Sequence, residues 1–355
     1  MVSRTVNNFL WAATLGVAAL SSCGTNDKGS DASTDSSKSG ETAVTDSATY
    51  YEQNILSNPK SPDPYLERAS WHLRNGRFTE GLNDLNLGIG ADTTYGPAWF
   101  AKADALFKMK NFEESIKHLD ICLDYAPENT DCKLKRAQIY ILLNKFEEAL
   151  ELINDALRIN DQLHEAYYMK SVIYKENGVS DKALSSLQTA VEVNPNFFDG
   201  FISLGMEYLQ LNDPIAIEYF NSAIALRPRS VEARYNLAMF YQQQDHNSSK
   251  ENLNKSLAIY EEILEIDSMN ASAAFNSGFI HLEFLQDYSE AEWWFGQAIE
   301  KLPYYHQAFF NRGLCRHSQD KFTEALEDYE EALRLKPDYT QAALAKSKVL
   351  EDMGQ

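Results

Sequence analysis

The sequence predicts an all-α protein, an α-solenoid of about eight helix–turn–helix repeats, and three observations predict it. From residue 62 onward, small and large apolar residues recur with a period of 33 to 35 residues, interrupted only by one insertion. Proline stands near the end of most of these units (Pro127, Pro195, Pro228, Pro303, Pro337), where it ends one helix and sets the turn into the next. With 355 residues, 44% of them hydrophobic and 24% charged, the chain is long and apolar enough to bury a continuous core.

Taken in order, the first element is a targeting segment. Arg4 supplies a basic start, and Phe9 to Leu20 (FLWAATLGVAAL) is an apolar stretch of signal-peptide length, too short to span a bilayer comfortably. It leads into Leu20-Ser21-Ser22-Cys23, which resembles the lipobox of bacterial lipoproteins. That resemblance implies cleavage after residue 22, lipidation of Cys23 and anchoring by several acyl chains. Gly24 follows in place of the aspartate that resembles an inner-membrane retention signal, so the expected location is the bacterial envelope, on the outer membrane where the cell has one. Residues 23–49 are almost free of apolar side chains (GTNDKGSDASTDSSKSGETAVTDSAT after Cys23) and read as a disordered tether. Within it, Asp46-Ser47-Ala48 resembles a short bacterial O-glycosylation sequon.

Residues 50–61 (YYEQNILSNP and the two residues after it) place Tyr51, Ile55 and Leu56 at the spacing of a second helix, as if half a repeat caps the array. The eight units are Pro62–Tyr95, Gly96–Asn129, Thr130–Leu163, His164–Phe197, Phe198–Ser230, Val231–Asn270, Ala271–Tyr305 and His306–Tyr339. Their eighth positions are Ala69, Ala103, Ala137, Ser171, Gly205, Ala238, Gly278 and Gly313, all small. Their twentieth are Gly81, Ser115, Ala149, Ala183, Ala216, Ser256, Ala291 and Ala325, again all small. Four residues later stand Leu85, Leu119, Ile153, Leu187, Phe220, Tyr260, Phe295 and Tyr329. Small residues let two antiparallel helices cross closely, and the bulky one fills the space beside the crossing. No single pair buries both its faces, so neighbours must stack. The sixth unit carries a polar insertion at Gln242–Asn254, expected to loop out, and Thr340–Met353, within residues 340–355, reads as a closing helix.

This pattern over residues 62–339 resembles the tetratricopeptide repeat family. The resemblance implies a right-handed superhelix with a concave groove lined by the second, fifth, sixth, ninth and twelfth positions of each first helix. The fifth positions include Phe100, Tyr168, Tyr235, Phe275 and Phe310, and the ninth include Met206 and Met239. Eight large fifth positions make an apolar stripe that marks an interaction site, although the same side chains also suit packing inside each helix pair. Asn236, Asn276 and Asn311 occupy the sixth position of three consecutive units. An asparagine amide donates and accepts at once, and this ladder resembles the one with which protein O-GlcNAc transferases grip extended peptides. The two-carboxylate clamp of chaperone co-factors needs Lys and Asn where this chain has apolar groups, and is rejected.

A net charge of −20 opposes nucleic acid and anionic lipid surfaces, so neither is expected as a partner beyond the lipid anchor. Cys122 and Cys132 stand near each other across a turn, where an exported protein could oxidise them to a bridge. The geometry of a bridge is demanding, so buried free thiols are the expectation; Cys315 is the remaining cysteine of the repeats. Nucleophile elbow, phosphate-binding loop and zinc-helix signatures are missing, and Gly88-Ile89-Gly90 reads as a helix stop. No cofactor or metal site is expected. The functional expectation is a non-catalytic scaffold that binds a protein or peptide partner in its groove. A subunit of an envelope assembly or secretion machine, and a carbohydrate- or peptidoglycan-binding lipoprotein, are the alternatives.

Overall fold

A computed structural model describes residues 49–243 and 250–354. The signal segment, the lipidation site Cys23, the sequon Asp46-Ser47-Ala48 and nearly all of the tether lie outside the described residues. So do residues 244–249 of the insertion. Among the described residues the regular structure is helical, and the residues divide into two compact units between Ile173 and Tyr174.

The first unit opens with α1 (residues 49–57), so the helix begins at the very end of the expected tether. There follow α2 (Asp63–Arg74), α3 (Phe78–Ala91), α4 (Gly96–Lys108), α5 (Phe112–Tyr125), α6 (Thr130–Leu142) and α7 (Phe146–Ile159). The division falls within α8 (His164–Glu176). In the second unit come α9 (Ser180–Val193), α10 (Phe198–Gln210), α11 (Ala216–Leu226), α12 (Val231–Gln243) and α13 (Lys250–Ile266). It continues with α14 (Ala271–Ile280), α15 (Tyr288–Lys301), α16 (His306–Ser318), α17 (Phe322–Leu335) and α18 (Thr340–Asp352). Each unit is a stack of helix hairpins in which a helix packs on its sequence neighbours before and after it.

Sterics at the helix crossings explain the small residues. Ser115 Oγ donates to the Ala103 carbonyl at 2.7 Å, and Ser256 Oγ to that of Ala238 at 2.9 Å, so twentieth and eighth positions touch. The bulky residue one turn later is wholly buried at Leu119, Ile153, Phe220, Tyr260, Phe295 and Tyr329. Where it is aromatic, the eighth position is mostly glycine. A Cβ on Gly205 would lie 2.4 Å from Phe220, and one on Gly313 2.6 Å from Tyr329. Ala238 opposite Tyr260 departs from this, in the unit that carries the insertion.

Between the helices of a pair, one residue takes the left-handed conformation: Gly76, Lys110, Asn144, Gly178, Asn212, Gln286 or Asp320. Its successor's N–H then reaches back to a carbonyl of the last helical turn, as from Asn111 to Leu106 at 2.9 Å and from Lys145 to Tyr140 at 2.8 Å. That closes the helix C-terminus by a backbone bond and turns the chain sharply. In the seventh unit a π-helical turn, His281–Leu285, absorbs one extra residue, and Asp287 N–H reaches back to His281 instead. On the return turns, Asp and Asn do the capping: Asn129 accepts from Cys132 N–H and Asn270 from Ala273 N–H, both at 2.9 Å.

Two expectations need correction. Cys122 and Cys132 are not free thiols but form a disulfide with Cα atoms 6.6 Å apart. The short turn between α5 and α6 brings the last turn of one helix against the first turn of the next, within bridging distance. The insertion is also not all loop. Gln242 and Gln243 belong to α12, and 250–254 to a 17-residue α13, because Leu253, only 2% exposed, gives that first turn a residue to bury.

Candidate functional site

The first helix of each pair carries every groove residue expected from the sequence, and the structure sorts them into two groups. At fifth positions Leu134, Tyr168, Ile202 and Phe275 are buried, while Leu66, Phe100, Tyr235 and Phe310 are part-buried. Tyr168 and Phe275 are each 9% exposed, which corrects the expectation of an apolar stripe open to solvent. Phe275 lies 5.4 Å from the Phe295 ring of its own pair and stacks at 4.8 Å on Tyr305, the last residue of its unit. Phe310 is held the same way, 6.0 Å from Tyr329 and 5.1 Å from Tyr339. Phe100, part-buried, packs with Leu119 and the bridged Cys122 and Cys132. Sequence reasoning missed the covering tyrosines, although a large residue ends five of the units (Tyr95, Leu163, Phe197, Tyr305, Tyr339).

Sixth and ninth positions hold the second group. Asn236 and Asn311 are part-exposed on α12 and α16, and Met206 and Met239 are part-exposed on α10 and α12. Phe279 and Leu314, at the ninth positions of α14 and α16, are part-exposed too. Asn276 breaks the ladder. It is 4% exposed, and its Nδ2 donates to the Tyr235 hydroxyl at 2.8 Å, joining α14 to α12. Burial raises the Tyr235 hydroxyl above the usual phenol range and pushes Tyr305 up to about 12, so both remain neutral donors at ordinary pH.

Charged residues at these helices chiefly fix geometry. Buried Asp84 receives two hydrogen bonds from Arg68 at 2.8 and 2.6 Å, and Asp328 two from Arg312 at 3.0 and 2.7 Å, tying first helix to second in the first and eighth units. Bidentate pairing of this kind gives a fixed register as well as energy. At the base of α12, Arg227 lies 3.9 Å over the Phe198 ring beside Asp199, bordering a shallow depression with Glu232 on its rim. Burial and the neighbouring Asp199 raise the Glu232 carboxyl. Among the described residues, no group of three His, Cys, Asp or Glu is placed to hold a metal. Nor is any described helix long and apolar enough to cross a membrane.

Comparison with known proteins gives a consistent family. Models of the tetratricopeptide repeat match residues 100–164, 164–197 and 306–339. The chain is 26% identical over 209 residues to protein O-mannosyl-transferase TMTC3 of Homo sapiens, covering 58% of this chain and 22% of that protein. It is 26% identical over 191 residues to BBSome complex member BBS4 of Bos taurus, covering 52% and 37%. The match thus spans well under half the length of these curated relatives. Among solved structures, a tetratricopeptide repeat protein with an unusual peptide-binding site, YrrB, has 20% identity and a TM-score of 0.40 over 53% of this chain and 95% of its own. The MamA protein has 20% identity and a TM-score of 0.41 over 50% and 94%. With one repeat matched in three stretches and the same hairpin recurring through the described residues, the chain carries tetratricopeptide repeats.

Proposed function

We propose that this protein is a non-catalytic, exported scaffold, anchored by lipid at Cys23 to the bacterial envelope, that binds an extended peptide or a helix of a partner protein along its first helices. A repeat array of this family points to protein–protein interaction. The observation that carries the peptide reading is the row of part-exposed side chains at sixth and ninth positions in the second compact unit. It pairs amide groups, Asn236 and Asn311, with apolar ones, Met206, Met239, Phe279 and Leu314. Such a surface supplies hydrogen bonds to a peptide backbone and apolar contact to its side chains. The bridge between Cys122 and Cys132 supports export, since disulfides persist in oxidising compartments.

The test uses the purified protein on an array of decapeptides of defined sequence. Replacing Asn236 and Asn311 together with Ala is expected to lower peptide capture at least tenfold while helix content stays constant. Asn276→Ala, by contrast, is expected to act on stability, since it strips a buried partner from Tyr235. Unchanged capture by the double variant would end the peptide reading. Recovery of glycan fragments and no protein from cell envelopes would favour the carbohydrate alternative instead. Mass measurement of the mature chain tests the anchor, and an unmodified Cys23 would remove it.

A further inference from the structure

We propose that the guest of the groove is a peptide carrying an arginine, whose side chain is received at the π-helical turn His281–Leu285 by the Glu283 carboxylate and the Phe284 and Phe279 rings. The inference rests on the peptide reading above and adds the chemistry of one guest side chain. It starts from the turn that ends α14. In a π turn the hydrogen bonds run from residue i+5 back to i, so the turn holds one residue more than an α-helical one. Phe279 is the ninth position of α14 and part-exposed. Along an α-helix the residue four places on stands over it; in the widened turn the residue five places on shares that place. Phe284 accordingly meets Phe279 edge to face, ring centroids 6.2 Å apart, with Glu283 next to it in the chain. In the other first helices α10, α12 and α16, the residue four places after the ninth is Gln210, Gln243 or Ser318, neither charged nor aromatic. The core fixes the turn from its other side. Leu282, 8% exposed, packs with Phe295, and Leu285 packs against Leu253 and Ile280. With those two leucines turned inward, Glu283 and Phe284 are left exposed, Phe284 at 40%.

Charge selects the guest group. Arginines of the first helices in this compact unit already have carboxylate partners: Arg234 with Glu262 at 2.9 Å, Arg312 with Asp328 at 2.7 Å and Arg316 with Glu292 at 2.9 Å. Glu283 has neither an ion pair nor a hydrogen bond among the described residues. Burial raises its carboxyl above the usual carboxylate range, and no cation of the fold opposes that rise. A carboxylate partly stripped of water and without a counter-ion gains from a cation brought to it. The two rings beside it favour a guanidinium over an ammonium. A guanidinium is planar and weakly hydrated, and it stacks on an aromatic face while its N–H groups donate to a carboxylate. The formal charge of −20 draws cationic peptides towards the protein, and Glu283 with its rings gives one such side chain a fixed place.

The experiment is a fluorescence-anisotropy titration of the purified full-length protein in detergent. The probes are labelled decapeptides of alanine, leucine and serine in which one arginine is moved through each position. Each is matched to a peptide with citrulline, the neutral isostere, in its place. At the best position the arginine peptide is expected to bind about tenfold tighter than its citrulline partner. Glu283→Gln is expected to bring that ratio to about one, and Phe284→Ala to lower it about threefold. Both are exposed side chains, and circular dichroism checks that helix content is kept. Glu192→Gln removes the same charge from exposed α9 and is expected to keep the ratio, which separates a local contact from the general pull of an acidic protein. The Asn236 and Asn311 double variant is expected to weaken both peptides alike. Equal binding of arginine and citrulline peptides at every position overturns the proposal and leaves the peptide reading standing. So does a preference that survives Glu283→Gln or is lost in Glu192→Gln. Binding of neither peptide removes both readings together.

Discussion

Replacing Gly205 with Ala tests the packing rule at the helix crossings, because the two relevant forces oppose each other there. In an exposed helix interior, Gly→Ala stabilises by about 0.5–1 kcal/mol, through lost freedom of the unfolded chain. At Gly205 the new Cβ would stand 2.4, 2.6 and 2.8 Å from three carbons of the Phe220 ring, which is itself fully buried. The ring has nowhere to swing, so helix or ring must shift, at a typical overpacking cost of about 1–3 kcal/mol. The expected net effect is a loss of about 1–2 kcal/mol. Phe220→Leu alone leaves a gap and costs about 1–2 kcal/mol. The double variant restores the pairing already present at Ala69 with Leu85 and Ala103 with Leu119, and is expected to be no less stable than Phe220→Leu alone. Urea unfolding followed by far-ultraviolet circular dichroism measures the cycle, with Gly90→Ala as the control, since nothing lies within 4 Å of a Cβ there. That control should gain about 0.5–1 kcal/mol. Costs that simply add across the cycle, with no coupling of about 1 kcal/mol, would refute the claim that ring size dictates glycine.

Two further outcomes follow from the sulfur chemistry. The disulfide closes a segment with a sequence separation of 10, for which chain entropy predicts about 2.7 kcal/mol of stabilisation at 25 °C; unfolding with and without reductant measures it, and identical urea midpoints would contradict a bridge that constrains the unfolded chain. Burial pushes the Cys315 thiol up to about 12. Its folded pKa lies above the ordinary thiol value, so its contribution to stability is complete below that value and is lost as pH rises towards 12. Iodoacetamide at pH 9 is expected to leave Cys315 unmodified in the folded protein and to alkylate it in urea, as peptide mass mapping would show.

Much of the fold was legible because a hairpin repeat writes its packing into fixed positions. Residues that touch across the crossing must be small wherever they recur, so eight weak signals at the eighth and twentieth positions add to one strong one. The tight turns were less legible. Their left-handed residue is Lys110, Gln286 or Asp320 as readily as glycine, because the backbone bond that closes the helix, not the side chain, fixes the conformation. The disulfide was misread for a related reason. Cys122 and Cys132 each have a structural explanation as small buried residues, and only the distance across the turn decides between thiol and bridge. The insertion misled because its polar composition conceals Leu253, a single residue whose burial is enough to extend α13.

The candidate site shows where repeat register stops being informative. Register places Phe275 and Met239 on one line of first-helix positions, and both were candidates for contact with a guest. What separates them is a residue from another element. Tyr305, at the end of the unit, lies flat on Phe275, and Tyr339 meets Phe310 edge to face at 5.1 Å. Asn276 is likewise withdrawn by Tyr235, a residue 41 positions earlier that its own repeat does not contain. Availability of a groove side chain is therefore a property of neighbouring pairs, not of one repeat. The surface left to the proposed guest is consequently narrower than the consensus positions suggest, since Met206, Phe279 and Leu314 at ninth positions are themselves partly packed against the core. On the proposed peptide reading, the part-exposed Asn236 and Asn311, and not the buried Asn276 between them, are the amides left to meet a peptide backbone.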